Sequence, residues 1–162
     1  MANNPTCVYW DSCVYLDFLR GGHPNQAHLR AVLKDWESGK VTLVTSTLTI
    51  AEVLYVPGVR RAVRLDESRR EELADLFRPT GDRDLTLVEL TRPVAEAARD
   101  LCWSHGIRPK DAVHVASALA PNCAALHTHD ERLQKKSRQV GGDPILEIIQ
   151  PAWTWQADME IP

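Results

Sequence analysis

The sequence has no apolar stretch long enough to cross a membrane. Hydrophobic residues make up 44% of its 162 residues, but no uncharged run approaches the roughly 18 residues of a membrane-spanning helix. The first residues, MANNPTC, also lack the basic segment followed by an apolar segment that is typical of a secretory signal peptide. We therefore expect a cytoplasmic protein that does not contact a membrane.

The cysteines lack the close spacing that is typical of zinc-binding or redox motifs. No C-x-x-C pair occurs, and Cys7, Cys13, Cys102 and Cys123 each lie within an apolar run. Cysteines in such runs behave as small core side chains, and disulfides are rare in cytosolic proteins. We therefore predict reduced core cysteines that neither form disulfides nor bind metal.

Positive charge is not in excess either. The 19 lysine and arginine residues are outnumbered by 22 aspartate and glutamate residues, which gives a formal net charge of −3 at pH 7. This balance excludes a protein that binds nucleic acid through a surface that is basic throughout. A local exception is the arginine-rich segment of residues 60–78. It is either a phosphate-contacting arm or a solvated helix face whose arginines pair with neighbouring acids.

Apolar runs rich in β-branched residues alternate along the chain with segments of helical periodicity. Strands are predicted at residues 7–10, 41–45, 85–90, 123–128 and 145–149. Helices are predicted at residues 13–20, 24–39, 47–54, 93–106 and 111–120, with a pair of amphipathic helices within 60–78. The alternation indicates an α/β fold with a largely parallel sheet. We expect one domain, residues 1–150, followed by a tail of residues 151–162 without assigned structure.

One predicted helix–strand unit is apolar on almost every side. The helix that opens at Asp111 has only His114 and Ser117 as polar positions in its interior, and such a helix is usually buried. The strand that follows it emerges at Thr128, close to Asp130. Two acids therefore flank a buried unit, which is a suitable platform for a catalytic site.

Two further acids follow predicted strands. Asp11 comes directly after the first strand, and Glu52 lies less than two helical turns beyond the second. Ligands of parallel α/β sheets bind beyond the carboxyl ends of the strands, so we expect Asp11, Glu52 and Asp130 to share that edge. Asp111 comes from a junction between two helices, and its placement depends on the fold.

Clustered carboxylates are typical ligands of hard divalent cations such as Mg²⁺ and Mn²⁺. Two such ions about 3.5–4 Å apart can activate water and stabilise the leaving oxygen in phosphodiester cleavage. Structural alternatives exist: Asp111 as a helix N-cap, and Asp11 and Asp130 as turn residues. For Glu52 a functional role is favoured over a structural one, because a carboxylate among apolar neighbours is costly without a partner. His114 is interpreted as a core histidine or as a residue that supports the acids.

Four short motifs occur in a fixed order within this α/β pattern: VYWDSCVYLDFL, TLTIAEVL, RPKDAVHVASAL and THDERL. Together they resemble the signature of PIN-domain ribonucleases, and they are most similar to the VapC-like toxins of bacterial toxin–antitoxin pairs. The resemblance extends roughly over residues 7–149. It implies a three-layer α/β/α sandwich with a central, mainly parallel sheet, and a metal-dependent endoribonuclease that uses Mg²⁺ or Mn²⁺.

The resemblance also implies roles for individual residues and partners. Asp11, Glu52, Asp111 and Asp130 are implied to be the acids of the metal site, with Ser12 and Thr128 as hydrogen-bonding residues behind them. A homodimer, an RNA substrate and a cognate antitoxin are implied as well. The residues 60–78 are longer and more charged than the resemblance accounts for, so no substrate contacts are assigned to them.

Two other functions are compatible with the same acids. The first is a PIN-like domain without catalysis that binds RNA or another protein, and whose binding does not depend on metal. The second is a metal-dependent phosphatase with Asp11 as its nucleophile. Such enzymes typically carry a second aspartate two residues later, where this sequence has Cys13, so the phosphatase is disfavoured.

Overall fold

The computed structural model describes residues 5–20, 25–56, 63–78 and 84–151. The helices are α1 Ser12–Arg20, α2 Gln26–Glu37, α3 Thr47–Glu52, α4 Glu67–Phe77, α5 Arg92–His105, α6 Pro109–Leu119 and α7 Glu131–Gln134. The strands are β1 Thr6–Trp10, β2 Val41–Ser46, β3 Tyr55–Val56, β4 Val63–Arg64, β5 Thr86–Val88, β6 Ala125–His127 and β7 Glu147–Ile149. None of the described helices is long and apolar enough to pass through a bilayer.

Five of these strands form the central sheet, in the order β5-β2-β1-β6-β7. Every neighbouring pair in it is parallel. The strand order places β1 in the middle, where it is hydrogen-bonded to β2 on one side and β6 on the other. The prediction of an α/β fold with a mainly parallel sheet is therefore confirmed.

Two hydrophobic cores lie on opposite faces of the sheet. In β1, Val8 and Trp10 belong to the core formed with α1, α2 and α4, whereas Tyr9 belongs to the core formed with α5 and α6. In β2, Leu43 and Val44 divide between the cores in the same way. This alternation follows from the period of two along a strand. Helices thus cover both faces of the sheet, which confirms the three-layer α/β/α arrangement.

The arginine-rich segment differs from the predicted pair of helices. In its described part, β4 pairs antiparallel with β3, and a single helix, α4, follows. Asp66 caps this helix by accepting a hydrogen bond from the backbone N of Arg69 at 2.9 Å. The guanidinium of Arg69 in turn forms an ion pair with Asp66, which agrees with a solvated helix face. Arg60 and Arg61 lie outside the described residues.

The bounds of two helices also differ from prediction, and one helix is additional. The helix α3 ends at Glu52, because the chain turns there into β3. The helix α6 begins two residues before Asp111, with Arg108 as its N-cap residue; Pro109 takes the first helical position, which its fixed φ favours. The short helix α7 was not predicted. Residues 152–162, the predicted tail, lie outside the described residues.

The prediction of reduced cysteines is wrong for one pair. Cys7 on β1 and Cys123, two residues before β6, form a disulfide, with their Cα atoms 4.4 Å apart. Cys13 and Cys102 are free thiols. The pair arises because β1 and β6 are neighbours in the sheet, whereas 116 residues separate the two cysteines in the sequence.

Candidate active site

Asp11 lies at the carboxyl end of β1, in the middle of the sheet, and only 7% of it is exposed. Its Oδ1 atom accepts hydrogen bonds from the backbone N of Cys13 at 2.9 Å and from the Cys13 thiol at 2.7 Å. These bonds turn the chain from β1 into α1 and hold the carboxylate in one orientation. Burial and the charge of Asp11 raise the pKa of Cys13, so the thiol keeps its proton and remains a donor.

Glu52 is the last residue of α3, and its carboxylate is held by two residues of α6. The Lys110 Nζ atom lies 2.5 Å from Oε1, and the His114 Nε2 atom lies 2.7 Å from Oε2. Burial acts to raise the pKa of Glu52, but the hydrogen bonds from His114 and Lys110 outweigh it and lower the pKa from 4.5 to about 2. Glu52 is therefore ionised at neutral pH, as a metal ligand must be.

A buried tyrosine holds His114 from the opposite side. The Tyr9 hydroxyl lies 2.7 Å from His114 Nδ1, and burial raises the pKa of Tyr9. The phenol therefore remains protonated, and its hydrogen bond with Nδ1 holds the imidazole so that Nε2 faces Glu52. The chain Tyr9–His114–Glu52 thus links the core of the sheet to the edge where the acids lie.

Arg108 connects the two remaining acids. Its Nε atom lies 3.2 Å from Asp111 Oδ2, and its Nη2 atom lies 3.0 Å from Asp130 Oδ2. The other carboxylate oxygen of Asp130 caps α7 and accepts from the backbone N of Arg132 at 2.8 Å. The hydroxyl of Thr128 accepts from the backbone N of Asp130 at 3.1 Å. Asp130 therefore has a structural role as a cap and still presents one oxygen to Arg108.

The electrostatics of Asp111 indicate that the acids converge. Burial raises its pKa and the guanidinium of Arg108 opposes this, while the negative charges of Asp130 and Asp11 raise the pKa further. Glu52 reaches the same turn of α6, because Lys110 precedes Asp111 directly. The structure thus couples Asp111 electrostatically to Asp11 and Asp130, and it places Glu52 beside the same turn of α6, with Lys110 and Arg108 as counter-charges.

The donor set fits a hard divalent cation in its chemistry. It consists of carboxylate oxygens, the ligands that Mg²⁺ and Mn²⁺ prefer, and the repulsion among Asp11, Asp111 and Asp130 is what a bound cation relieves. Within the described ranges, no group of three or more His, Cys, Asp or Glu side chains is close enough to share one ion. The amino and guanidinium groups of Lys110 and Arg108 contact these carboxylates instead.

Three residues of the site were not assigned from the sequence. Cys13, rather than Ser12, hydrogen-bonds Asp11, and the described residues offer no hydrogen bond to the Ser12 side chain; its supporting role remains a prediction. Lys110 and Arg108 were not singled out, although each lies within three residues of Asp111. His114 was interpreted as a core histidine or as a residue that supports the acids; it is buried and hydrogen-bonded to Glu52. Its spacing of three residues from Asp111 places both on one helix face.

Comparison with known proteins identifies the family. The model of the PIN domain family matches residues 8–139, a span that includes all four acids. The chain belongs to the PIN domain family. No curated protein sequence gives a significant match.

Three solved structures share the fold at low sequence identity. A chain of VapBC2 from Rickettsia felis, bound to a DNA fragment from its promoter, aligns with a TM-score of 0.60 and 17% identity over 90% of this chain and 98% of that one. A chain of a toxin–antitoxin complex from Klebsiella pneumoniae aligns with a TM-score of 0.55 and 16% identity over 90% and 98%. VapC20 of Mycobacterium tuberculosis, a toxin that cleaves the sarcin–ricin loop, aligns with a TM-score of 0.59 and 14% identity over 79% and 93%.

Proposed function

We propose that this PIN domain is a Mg²⁺- or Mn²⁺-dependent endoribonuclease that hydrolyses RNA phosphodiester bonds. The observation that carries the proposal is the electrostatic coupling of Asp111 to Asp11 and Asp130 at the carboxyl edge of the sheet, with Glu52 held beside the same turn of α6 by Lys110. Asp11, Glu52 and Asp111 hold the metal, and Asp130 completes the site or orients the attacking water. A bound divalent cation supplies Lewis-acid stabilisation of the phosphoryl oxygens.

The surrounding residues prepare these carboxylates for their task. His114 and Lys110 keep Glu52 ionised, and the Cys13 thiol and backbone N fix the orientation of Asp11. Lys110 and Arg108 balance the negative charge of the acids in the absence of metal. Because both cations are largely exposed, with 70% and 60% of their side chains accessible, they can move aside at small cost.

We further propose that the chain is the toxin of a toxin–antitoxin pair, acts as a homodimer and is inhibited by a cognate antitoxin. The support is family membership together with a fold like that of chains from VapBC2 and from the Klebsiella pneumoniae complex. Expression of the wild-type chain alone should arrest bacterial growth, and co-expression with the product of an adjacent small reading frame should relieve the arrest. Growth arrest that persists in Asp111→Asn would contradict a toxin that acts through this site.

The nuclease is tested by incubating a pool of structured RNAs with purified protein in Mg²⁺, Mn²⁺ or EDTA. We expect cleavage only with metal, and none by Asp111→Asn. The matched control is Asp100→Asn, which neutralises an exposed aspartate paired with Arg99 on α5 and should leave cleavage intact. Cleavage in EDTA would contradict the metal-dependent nuclease. Metal-independent RNA binding without cleavage by the folded protein would favour the non-catalytic module.

A further inference from the structure

A cavity of about 140 Å³ adjoins the acid cluster on the side of α7. This is roughly ten times the volume that one water molecule requires, so a phosphate group with part of its sugar fits. Its apolar wall is formed by Ile107 and Leu133, both buried. Asp111 lies at its rim, and the cavity therefore opens next to the proposed cleavage site.

Positive charge dominates the lining of this cavity. Arg108, Arg132 and Lys136 face it, against the single carboxylate of Asp111. Arg108 is held by the acid cluster, but across the described parts of the chain neither Arg132 nor Lys136 takes part in an ion pair. Unneutralised cations that line one cavity repel each other, and a bound anion relieves that repulsion.

Several other arginines among the described residues pair with carboxylates, in contrast to Arg132. Arg69, Arg78 and Arg138 each lie within 3.2 Å of a carboxylate oxygen. Arg132 is instead placed at the cavity by its backbone, since its N–H donates to the Asp130 carboxylate. The same aspartate thereby fixes both the acid cluster and the basic pocket.

We propose that this basic pocket, lined by Arg108, Arg132 and Lys136, binds a phosphate of the RNA strand next to the phosphate that is cleaved. The proposal rests on the endoribonuclease function above. Guanidinium groups match the geometry of phosphate oxygens in two parallel hydrogen bonds, and the wall of Ile107 and Leu133 accommodates the ribose. Arg108 lies between the pocket and the acids, so it can align the RNA strand with both.

The first test measures binding without cleavage. A short, fluorescently labelled single-stranded RNA of mixed sequence is titrated in EDTA with the wild type, with the double variant Arg132→Ala/Lys136→Ala, and with the control double variant Lys34→Ala/Lys135→Ala. The control removes the same charge from exposed lysines outside the pocket. We expect the pocket variant to bind roughly 10- to 100-fold more weakly, and the slope of log affinity against log salt to fall by about 1.

Equal losses in the two double variants would overturn the proposal, because they would indicate a general effect of charge. No loss in the pocket variant would overturn it as well. If RNA binding is unchanged and the pocket variant instead loses binding of a partner protein, the pocket receives an acidic protein segment and the proposal is wrong. Circular dichroism and thermal unfolding establish that each variant is folded.

The second test uses cleavage. In an RNA with a known cut site, each phosphate near that site is replaced in turn by a neutral methylphosphonate, and kcat/KM is measured. We expect one position to be sensitive in the wild type and insensitive in Arg132→Ala/Lys136→Ala, whose kcat/KM is already lowered. Equal sensitivity in both proteins would overturn the pocket while leaving the nuclease intact. If no RNA is cleaved at all, the nuclease fails, and the binding experiment still decides the pocket.

Discussion

His114 links the acid cluster to the core, and we expect its removal to weaken metal binding. In His114→Ala, Glu52 loses the hydrogen bond that orients it and keeps its pKa low. Residues that position metal ligands in this way typically contribute about 10- to 100-fold to metal affinity. We expect a loss of that size in the affinity for Mn²⁺, measured by isothermal titration calorimetry.

Tyr9→Phe disturbs the same chain of hydrogen bonds less severely than His114→Ala. It keeps the imidazole but removes the hydroxyl that helps to orient the ring, so the loss of Mn²⁺ affinity should be smaller than in His114→Ala. Wild-type affinity in a folded His114→Ala protein would contradict the positioning role. Thermal unfolding of the apo-proteins separates this effect from a general loss of stability.

His127 should make the protein sensitive to mild acid. Burial lowers its pKa from 6.5 to about 3, and its Nδ1 atom accepts a hydrogen bond from Trp10 Nε1 at 3.2 Å. Between these pH values the unfolded chain binds a proton that the folded protein does not. Stability is therefore retained above pH 6.5 and falls by about 1.4 kcal/mol per pH unit as the pH drops toward 3.

Urea unfolding between about pH 7 and pH 5 measures this slope. His127→Asn is the matched variant, because its amide oxygen can accept from Trp10 but does not titrate. The variant should be less stable at neutral pH and should lose less stability on acidification. Equal slopes in the two proteins would show that another group is responsible.

At the scale of elements, the beginning of α6 balances the acid cluster. Lys110→Ala removes a positive charge that is paired with Glu52 and that opposes a second cation. Exposed ion pairs contribute up to about 1 kcal/mol, so Mn²⁺ should bind up to about fivefold more tightly. Lys40→Ala, which removes a lysine paired with Asp35, is the control in the same calorimetric titration. Weaker metal binding in Lys110→Ala would contradict this account.

Asp130 caps the N-terminus of α7 and also belongs to the acid cluster. Two substitutions separate these roles. Asparagine is as good an N-cap as aspartate, whereas alanine at an N-cap costs about 1 kcal/mol. Asp130→Asn should therefore keep the wild-type stability, and Asp130→Ala should lose about that amount in urea unfolding. Both should cut RNA more slowly, because both lack the carboxylate. Full activity in Asp130→Asn would limit the residue to its cap.

The elements that could be predicted from sequence are those with a long or strongly apolar signal. The strands β1, β2 and β6 are apolar runs, α5 shows clear helical periodicity, and α6 is apolar on almost every side. The hairpin of β3 and β4 has strands of two residues, and α7 has four, so none of them extends over enough of a period to be recognised. The stripe within 60–78 was correct for α4, but a helical spacing of apolar residues cannot exclude a short strand before it.

At the scale of the whole molecule, the parallel sheet explains why the acids could be predicted. Carboxyl ends of parallel strands meet at one edge, so Asp11 and Asp130, which follow the adjacent strands β1 and β6, lie at the same edge of the sheet. The counter-charges could not be predicted in the same way. Whether Lys110 reaches Glu52, or Arg108 reaches both Asp111 and Asp130, depends on how α6 packs against α3 and α7. The disulfide of Cys7 and Cys123 depends on strand order likewise.

Metal should change the stability of the entire protein. The formal net charge is −3 at pH 7, and without the four acids of the site it is −3 − (−4) = +1, so the excess negative charge is concentrated there. A ligand at 100 times its dissociation constant stabilises the native state by about 2.7 kcal/mol, which corresponds to a rise in Tm of roughly 5–10 °C for a chain of this size. EDTA should reverse the rise observed with Mn²⁺.

Asp111→Asn should have opposite effects on stability without and with metal. Because burial and neighbouring acids raise the pKa of Asp111, its ionised form opposes folding at neutral pH. Asparagine removes that charge, so in EDTA the variant should be more stable than the wild type, by up to about 1 kcal/mol, despite losing the ion pair with Arg108. With Mn²⁺ the order should reverse, since only the wild type gains from metal. A variant that is less stable in both conditions would indicate that Asp111 is retained for structure rather than for the metal.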